Sequence, residues 1–131
     1  FTVTKGNGGA QDKLVSEAIK VPGDFTRKLL KMDRDRSEQE RLKAESIALR
    51  ASIGIAWSSP CLEAMLLTIL DRKNYSRYLS KTCKSIFERN HIPEDKRNDS
   101  SSYDRVFTRE ILDEARTRVA ELDSLIQFFC S

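Results

Sequence analysis

The chain has 131 residues, 39% of them hydrophobic and 33% charged, and a formal net charge of +3. That length and balance predict one globular domain with a real core, and a net charge so slight does not by itself predict nucleic-acid binding. No run of about 18 apolar residues is present, so neither a membrane-spanning helix nor a membrane partner is expected.

Residues Phe1 to Lys5 alternate β-formers and read as a strand. Because the first residue is not Met and no leader pattern is visible, upstream residues or processing are expected, with a cytoplasmic location. Lys5-Gly6-Asn7-Gly8-Gly9 is a turn that lets the backbone approach closely. It is not a P-loop, since no Gly-Lys-Ser/Thr follows. It reads either as a plain strand-to-helix turn or as a cradle for phosphate at the next helix N-terminus, with Lys5, Gly8 and Gly9 as the contacts. Ala10 to Lys20 reads as a short helix with Leu14, Val15, Ala18 and Ile19 on one face. Val21-Pro22-Gly23-Asp24 ends it.

The stretch Arg27-Lys28-Leu29-Leu30-Lys31-Met32-Asp33-Arg34-Asp35-Arg36 reads as a strand ending in two aspartates one residue apart. In an open α/β sheet, ligands bind beyond the carboxyl ends of the strands. Two carboxylates there suit a hard cation such as Mg²⁺, and Arg34 and Arg36 suit phosphate. The plainer alternative is a solvated, self-neutralising turn. Ser37 and Glu40 form a capping-box pattern that starts a helix running to about Arg50. Leu42, Ala48 and Leu49 are its packing residues. Ser52-Ile53-Gly54-Ile55-Ala56-Trp57 should be a central strand. The alternation of strands and helices predicts a parallel sheet with crossover helices.

In Ser58-Ser59-Pro60-Cys61-Leu62-Glu63, Ser59 reads as a helix cap and Pro60 as the first helical residue. The helix should bury Leu62, Met65, Leu66, Ile69 and Leu70. Glu63 is either a first-turn acid favoured by the helix dipole or a third carboxylate on the rim of Asp33 and Asp35. Asn74 to Asn90 reads as a helix, and His91 as a surface or capping residue. The polar run Glu94 to Arg105 reads as a long loop, a lid or an insert. Thr108 to Phe129 reads as one amphipathic helix with the stripe Ile111, Ala115, Val119, Leu122, Ile126 and Phe129. Residues 72–131 thus form a helical extension of the single domain. Cys61, Cys83 and Cys130 make no zinc spacing and no redox pair, and read as free, buried thiols.

The strand Leu29-Leu30-Lys31-Met32-Asp33-Arg34-Asp35-Arg36, the glycine turn and Ile55-Ala56-Trp57-Ser58-Ser59-Pro60-Cys61-Leu62-Glu63-Ala64-Met65-Leu66-Leu67 together resemble the RloB-like family. These are bacterial proteins linked to restriction and phage-defence loci and related to the Toprim fold. The resemblance covers roughly residues 1–70. It implies an α/β, Toprim-like (Rossmannoid) three-layer sandwich with a small, mainly parallel sheet and a helical C-terminal part. It also implies a site that binds Mg²⁺ or Mn²⁺ and cleaves DNA or RNA, with Asp33 and Asp35 as metal ligands, Glu63 as a further ligand or base, and Ser58 and Ser59 beside it. The Toprim pattern has a glutamate on an earlier strand; Phe1 to Lys5 carries none, so that residue is expected upstream or lost. Two functions follow. One is a metal-dependent nuclease of a bacterial defence system. The other is a non-catalytic module that docks a defence ATPase or restriction subunit through its C-terminal helix; self-association into a homo-oligomer is compatible with both.

Overall fold

The computed structural model describes residues 9–130. The strand expected over Phe1 to Lys5, and with it Lys5, Gly6, Asn7 and Gly8, lies outside the described residues. The chain is α/β and divides into two compact units, Phe1–Trp57 and Ser58–Ser131.

In the first unit, helix α1 (Gln11–Lys20) leads to strand β1 (Lys28–Asp33), helix α2 (Glu38–Arg50) and strand β2 (Ile53–Ser58). The two strands pair as a small parallel sheet, and α2 is the crossover between them. Leu30 and Met32 of β1 alternate with residues of the other face, as a strand requires. They join Ile53, Ile55 and Trp57 in an apolar cluster with Val15 of α1 and Ala44 and Ala48 of α2. Lys28 begins β1 and sends its ammonium back to the end of α1. It donates to the carbonyls of Ala18, Ile19 and Val21 at 3.0, 3.3 and 3.0 Å. A cation on the last carbonyls complements the helix dipole and satisfies groups the helix leaves open.

The cap of α2 is as expected: Ser37 Oγ accepts from the Glu40 amide at 3.2 Å. Its packing face is not. Ala44 and Ala48 are buried, while Leu42 and Leu49 are exposed, Leu49 by 81%. On a helix, positions 42 and 49 point away from the Ala44–Ala48 row. The small row permits close approach of α1 and α2, which pack on each other.

The second unit is helical. Its first helix, α3 (Leu62–Asp71), is capped by Cys61, not Ser59. Pro60 precedes the helix, joined to Ser59 by a cis peptide bond. Ala64 and Leu67 face one apolar cluster and Met65 and Ile69 another, so α3 is buried on two sides. Leu62, expected inside, is exposed. Helix α4 (Ser80–Asn90) buries Cys83 and Phe87. His91 ends it and pairs with Asp71 at 3.0 Å.

The expected loop after His91 is instead structured. A 3₁₀ turn (Glu94–Lys96) precedes helix α5 (Ser100–Val106). Asp99 caps α5, accepting from the Ser101 amide at 3.1 Å and from the Ser101 and Ser102 hydroxyls at 2.7 and 3.0 Å. Tyr103, Val106 and Phe107 pack on the α3–α4 cluster, which offsets the polar composition. The long C-terminal helix is broken into α6 (Arg109–Ala115) and α7 (Ala120–Cys130). Ile111, Ala115, Val119, Leu122 and Ile126 do form one stripe, against Met65 and Ile69. Phe129 stands outside it and is exposed.

Candidate functional site

The Asp-x-Asp stretch lies where β1 ends. Asp33 is the last strand residue and half-buried; Asp35 is exposed two residues later, ahead of the Ser37 cap. Arg34 and Arg36 are exposed on either side of Asp35. The N-terminus of α1 comes to the same edge. Gln11, the first residue of α1, donates from Nε2 to the Asp33 carbonyl at 2.8 Å. Arg36 reaches the Gly9 carbonyl at 3.5 Å, a long contact. Gly9 has φ +97, and nothing lies within 4 Å of where a Cβ would stand. Positive φ suits glycine there, and the open space leaves its backbone approachable.

Gln11 is the residue that sequence reasoning missed. It is 3% exposed, and its Oε1 is buried with no hydrogen-bond partner. A buried acceptor left unmatched costs about 1–3 kcal/mol, and such groups mark places where an ion or water belongs. The oxygen groups at this edge, the Asp33 and Asp35 carboxylates and the Gln11 amide, are the type that a hard divalent cation prefers. Nothing in the sequence flags a glutamine at a helix start; its partner is a backbone carbonyl 22 residues on. Asp12, beside it, is held below the usual carboxylate range by the Lys43 ammonium at 3.1 Å.

The other expected site residues stand elsewhere. Lys5 and Gly8 lie outside the described residues. Glu63 belongs to the second unit, in the first turn of α3. Its Oε2 is buried without a hydrogen-bond partner. Burial pushes the Cys83 and Tyr103 pKa values up, and the Glu63 charge adds to both. Ser58 is fully buried and donates to Glu121 Oε1 at 2.5 Å. Both residues belong to the second unit, and the bond is a structural use of the hydroxyl. Ser59 is exposed. Cys61 and Cys83 are free and buried in one apolar cluster, so two thiols distant in sequence are neighbours in the fold, whereas Cys130, expected to be buried, is exposed.

Among the described residues, no group of three or more His, Cys, Asp or Glu side chains is placed to hold a metal ion. The candidate site is the edge where Asp33 and Asp35 follow the end of β1 and Gln11 bonds the Asp33 carbonyl. Mg²⁺ is commonly bound by one or two carboxylates with waters and phosphate oxygens completing its shell. Among the described residues no helix is long and apolar enough to cross a membrane. Comparison with family models, with curated proteins and with solved structures finds no match to this chain.

Proposed function

We propose that this chain is a Toprim-like, RloB-like protein that acts on nucleic acid, cleaving phosphodiester bonds with a divalent cation held at Asp33 and Asp35. The observation that carries this reading is the meeting of the β1 end with the α1 N-terminus, where the buried Gln11 Oε1 lacks a partner. Mg²⁺ or Mn²⁺ there would supply a Lewis acid for the phosphoryl oxygen and a more acidic water. The chain's own residues do the rest. Asp33 and Asp35 hold the cation. Arg34 and Arg36 offer charge-assisted bonds to phosphate. The open backbone of Gly9 and the α1 N-terminus favour an anion beside them.

The test is cleavage of DNA and RNA with Mg²⁺ or Mn²⁺ and with chelator. Cleavage should need the metal and should fall at least a hundredfold in Asp33→Asn, the usual scale for losing a group that stabilises developing charge. Cleavage that persists in chelator contradicts the reading.

A second reading is favoured by the lack of a three-carboxylate group among the described residues. The chain would then be a non-catalytic module that docks a defence ATPase or restriction subunit through α7, which exposes Phe129. Co-purification that survives Asp33→Asn but is lost with Phe129→Ser supports it.

A further inference from the structure

The weak net charge conceals a strong local one. Residues 72–91 hold six Lys or Arg (Arg72, Lys73, Arg77, Lys81, Lys84 and Arg89) against a single acid, Glu88. The segment therefore nets +5 while the whole chain nets +3, so the remainder of the chain is net acidic. This concentration coincides with α4 and the turn before it.

Helical geometry arranges part of it. Lys81, Ser85 and Arg89 are four residues apart, on one row of α4. Thr82 and Ile86 flank them, and together the five residues line an open groove of about 370 Å³. Eight residues of helix place Lys81 and Arg89 about 12 Å apart along the axis, within the reach of successive phosphates of one strand. Arg77 is exposed in the preceding turn. Among the described residues none of Arg77, Lys81 and Arg89 forms an ion pair. Arg72 is different, being paired to Glu114 at 3.1 Å. Lys73 lies over the rings of Tyr78 and Tyr75, at 5.1 and 5.7 Å. Three exposed cations without carboxylate partners repel one another, and folding gains nothing by gathering them. A polyanion would.

We infer that the α4 face bearing Arg77, Lys81 and Arg89 is a binding surface for the phosphate backbone of nucleic acid. The opposite face of α4 is spent on the core: Cys83 and Phe87 are buried in one apolar cluster. A helix that inserts into a lipid surface needs its apolar face for the bilayer, which favours nucleic acid over a membrane. The polar groove residues Thr82 and Ser85 add neutral donors of the kind that bond phosphate oxygens. The inference rests on the reading of nucleic acid as substrate, and it adds a surface that needs no metal and no Asp33.

The test is equilibrium binding of fluorescent single-stranded and duplex oligonucleotides in chelator, where no metal-dependent cleavage occurs. The triple variant Arg77→Gln/Lys81→Gln/Arg89→Gln is compared with Lys20→Gln/Lys96→Gln/Arg105→Gln, which removes the same charge from exposed positions elsewhere. All six are surface residues, so both variants should fold. The α4 variant should bind at least tenfold more weakly at low salt. The slope of log affinity against log salt should flatten by about 2, from three lost contacts of roughly 0.7 each on a single strand. The control should change little. Equal weakening in both variants would show a diffuse charge effect and overturn the surface. So would tight binding to phosphatidylserine vesicles with none to either oligonucleotide. Because metal is absent, loss of cleavage through Asp33→Asn leaves this result untouched, and the two proposals fail separately.

Discussion

Replacing Arg118 by alanine should remove the cap from α3. Arg118 donates from Nη1 to the Thr68 carbonyl at 2.8 Å and from Nη2 to the Ile69 carbonyl at 2.7 Å. These are two of the last four carbonyls of α3, which have no partner within the helix. Its guanidinium also meets Glu114 at 3.1 to 3.3 Å. Hydrogen bonds from a charged donor contribute about 1.5–3 kcal/mol each. The Arg118 side chain is 24% exposed, so water can replace part of what is lost. A net cost of about 2–3 kcal/mol follows, with a fall in Tm on the order of 6–15 °C for a chain of this size. Urea unfolding followed by far-ultraviolet circular dichroism reads it, with an unchanged m-value as the check that only stability moved. Arg118→Lys keeps the charge but not the planar fork, and should lose about half as much. Glu114→Gln leaves the carbonyl bonds of Arg118 in place and removes only the exposed ion pairs to Arg118 and Arg72, and should cost about 1 kcal/mol or less. A loss below about 0.5 kcal/mol in Arg118→Ala, the level of an ordinary surface substitution, would refute the capping role.

Three further outcomes follow. Tyr75 donates to Asp71 Oδ2 at 2.6 Å, and that bond, with burial, pushes its pKa up to about 12. The folded state then holds a proton that the unfolded chain releases near pH 10, so this stability is full below pH 10 and drains away as pH rises toward 12. Tyr75→Phe should flatten that alkaline loss; an identical alkaline profile in both proteins would contradict the assignment. In thiol titration, Cys130 should react quickly and Cys61 and Cys83 only on unfolding, since the last two are buried and the Cys83 thiol is raised by burial; three fast thiols would refute the packing of α3 on α4. Ser58→Ala should cost about 1–2 kcal/mol by removing a donor from Glu121, and a neutral result would mean the hydroxyl is not structural.

Local signals were the legible ones. The Ser37 cap, the end of β1 at Asp33 and the apolar run of β2 each depend on residues within a few positions of one another. What was hidden depends on distant partners. The stripe from Ile111 to Ile126 keeps helical spacing across the break between α6 and α7, where Arg118 turns to carbonyls about 50 residues away. The serine-rich stretch before Phe107 has loop composition, yet a single aspartate cap and three apolar side chains suffice to fold it. At the candidate site the two aspartates were readable, whereas Gln11 was not. Glu63 could be read as an acid near a strand end, but the burial of its oxygen is a tertiary fact.

The central claim is that Asp33 and Asp35 hold a divalent cation, and thermal unfolding with and without Mg²⁺ or Mn²⁺ tests it most directly. At ten times its dissociation constant a bound ion stabilises the fold by about 1.4 kcal/mol, a shift of several degrees. The wild-type protein should show that rise and Asp33→Asn/Asp35→Asn should not. An equal response in both, or none in either, would contradict the metal site and leave the aspartates as a solvated turn.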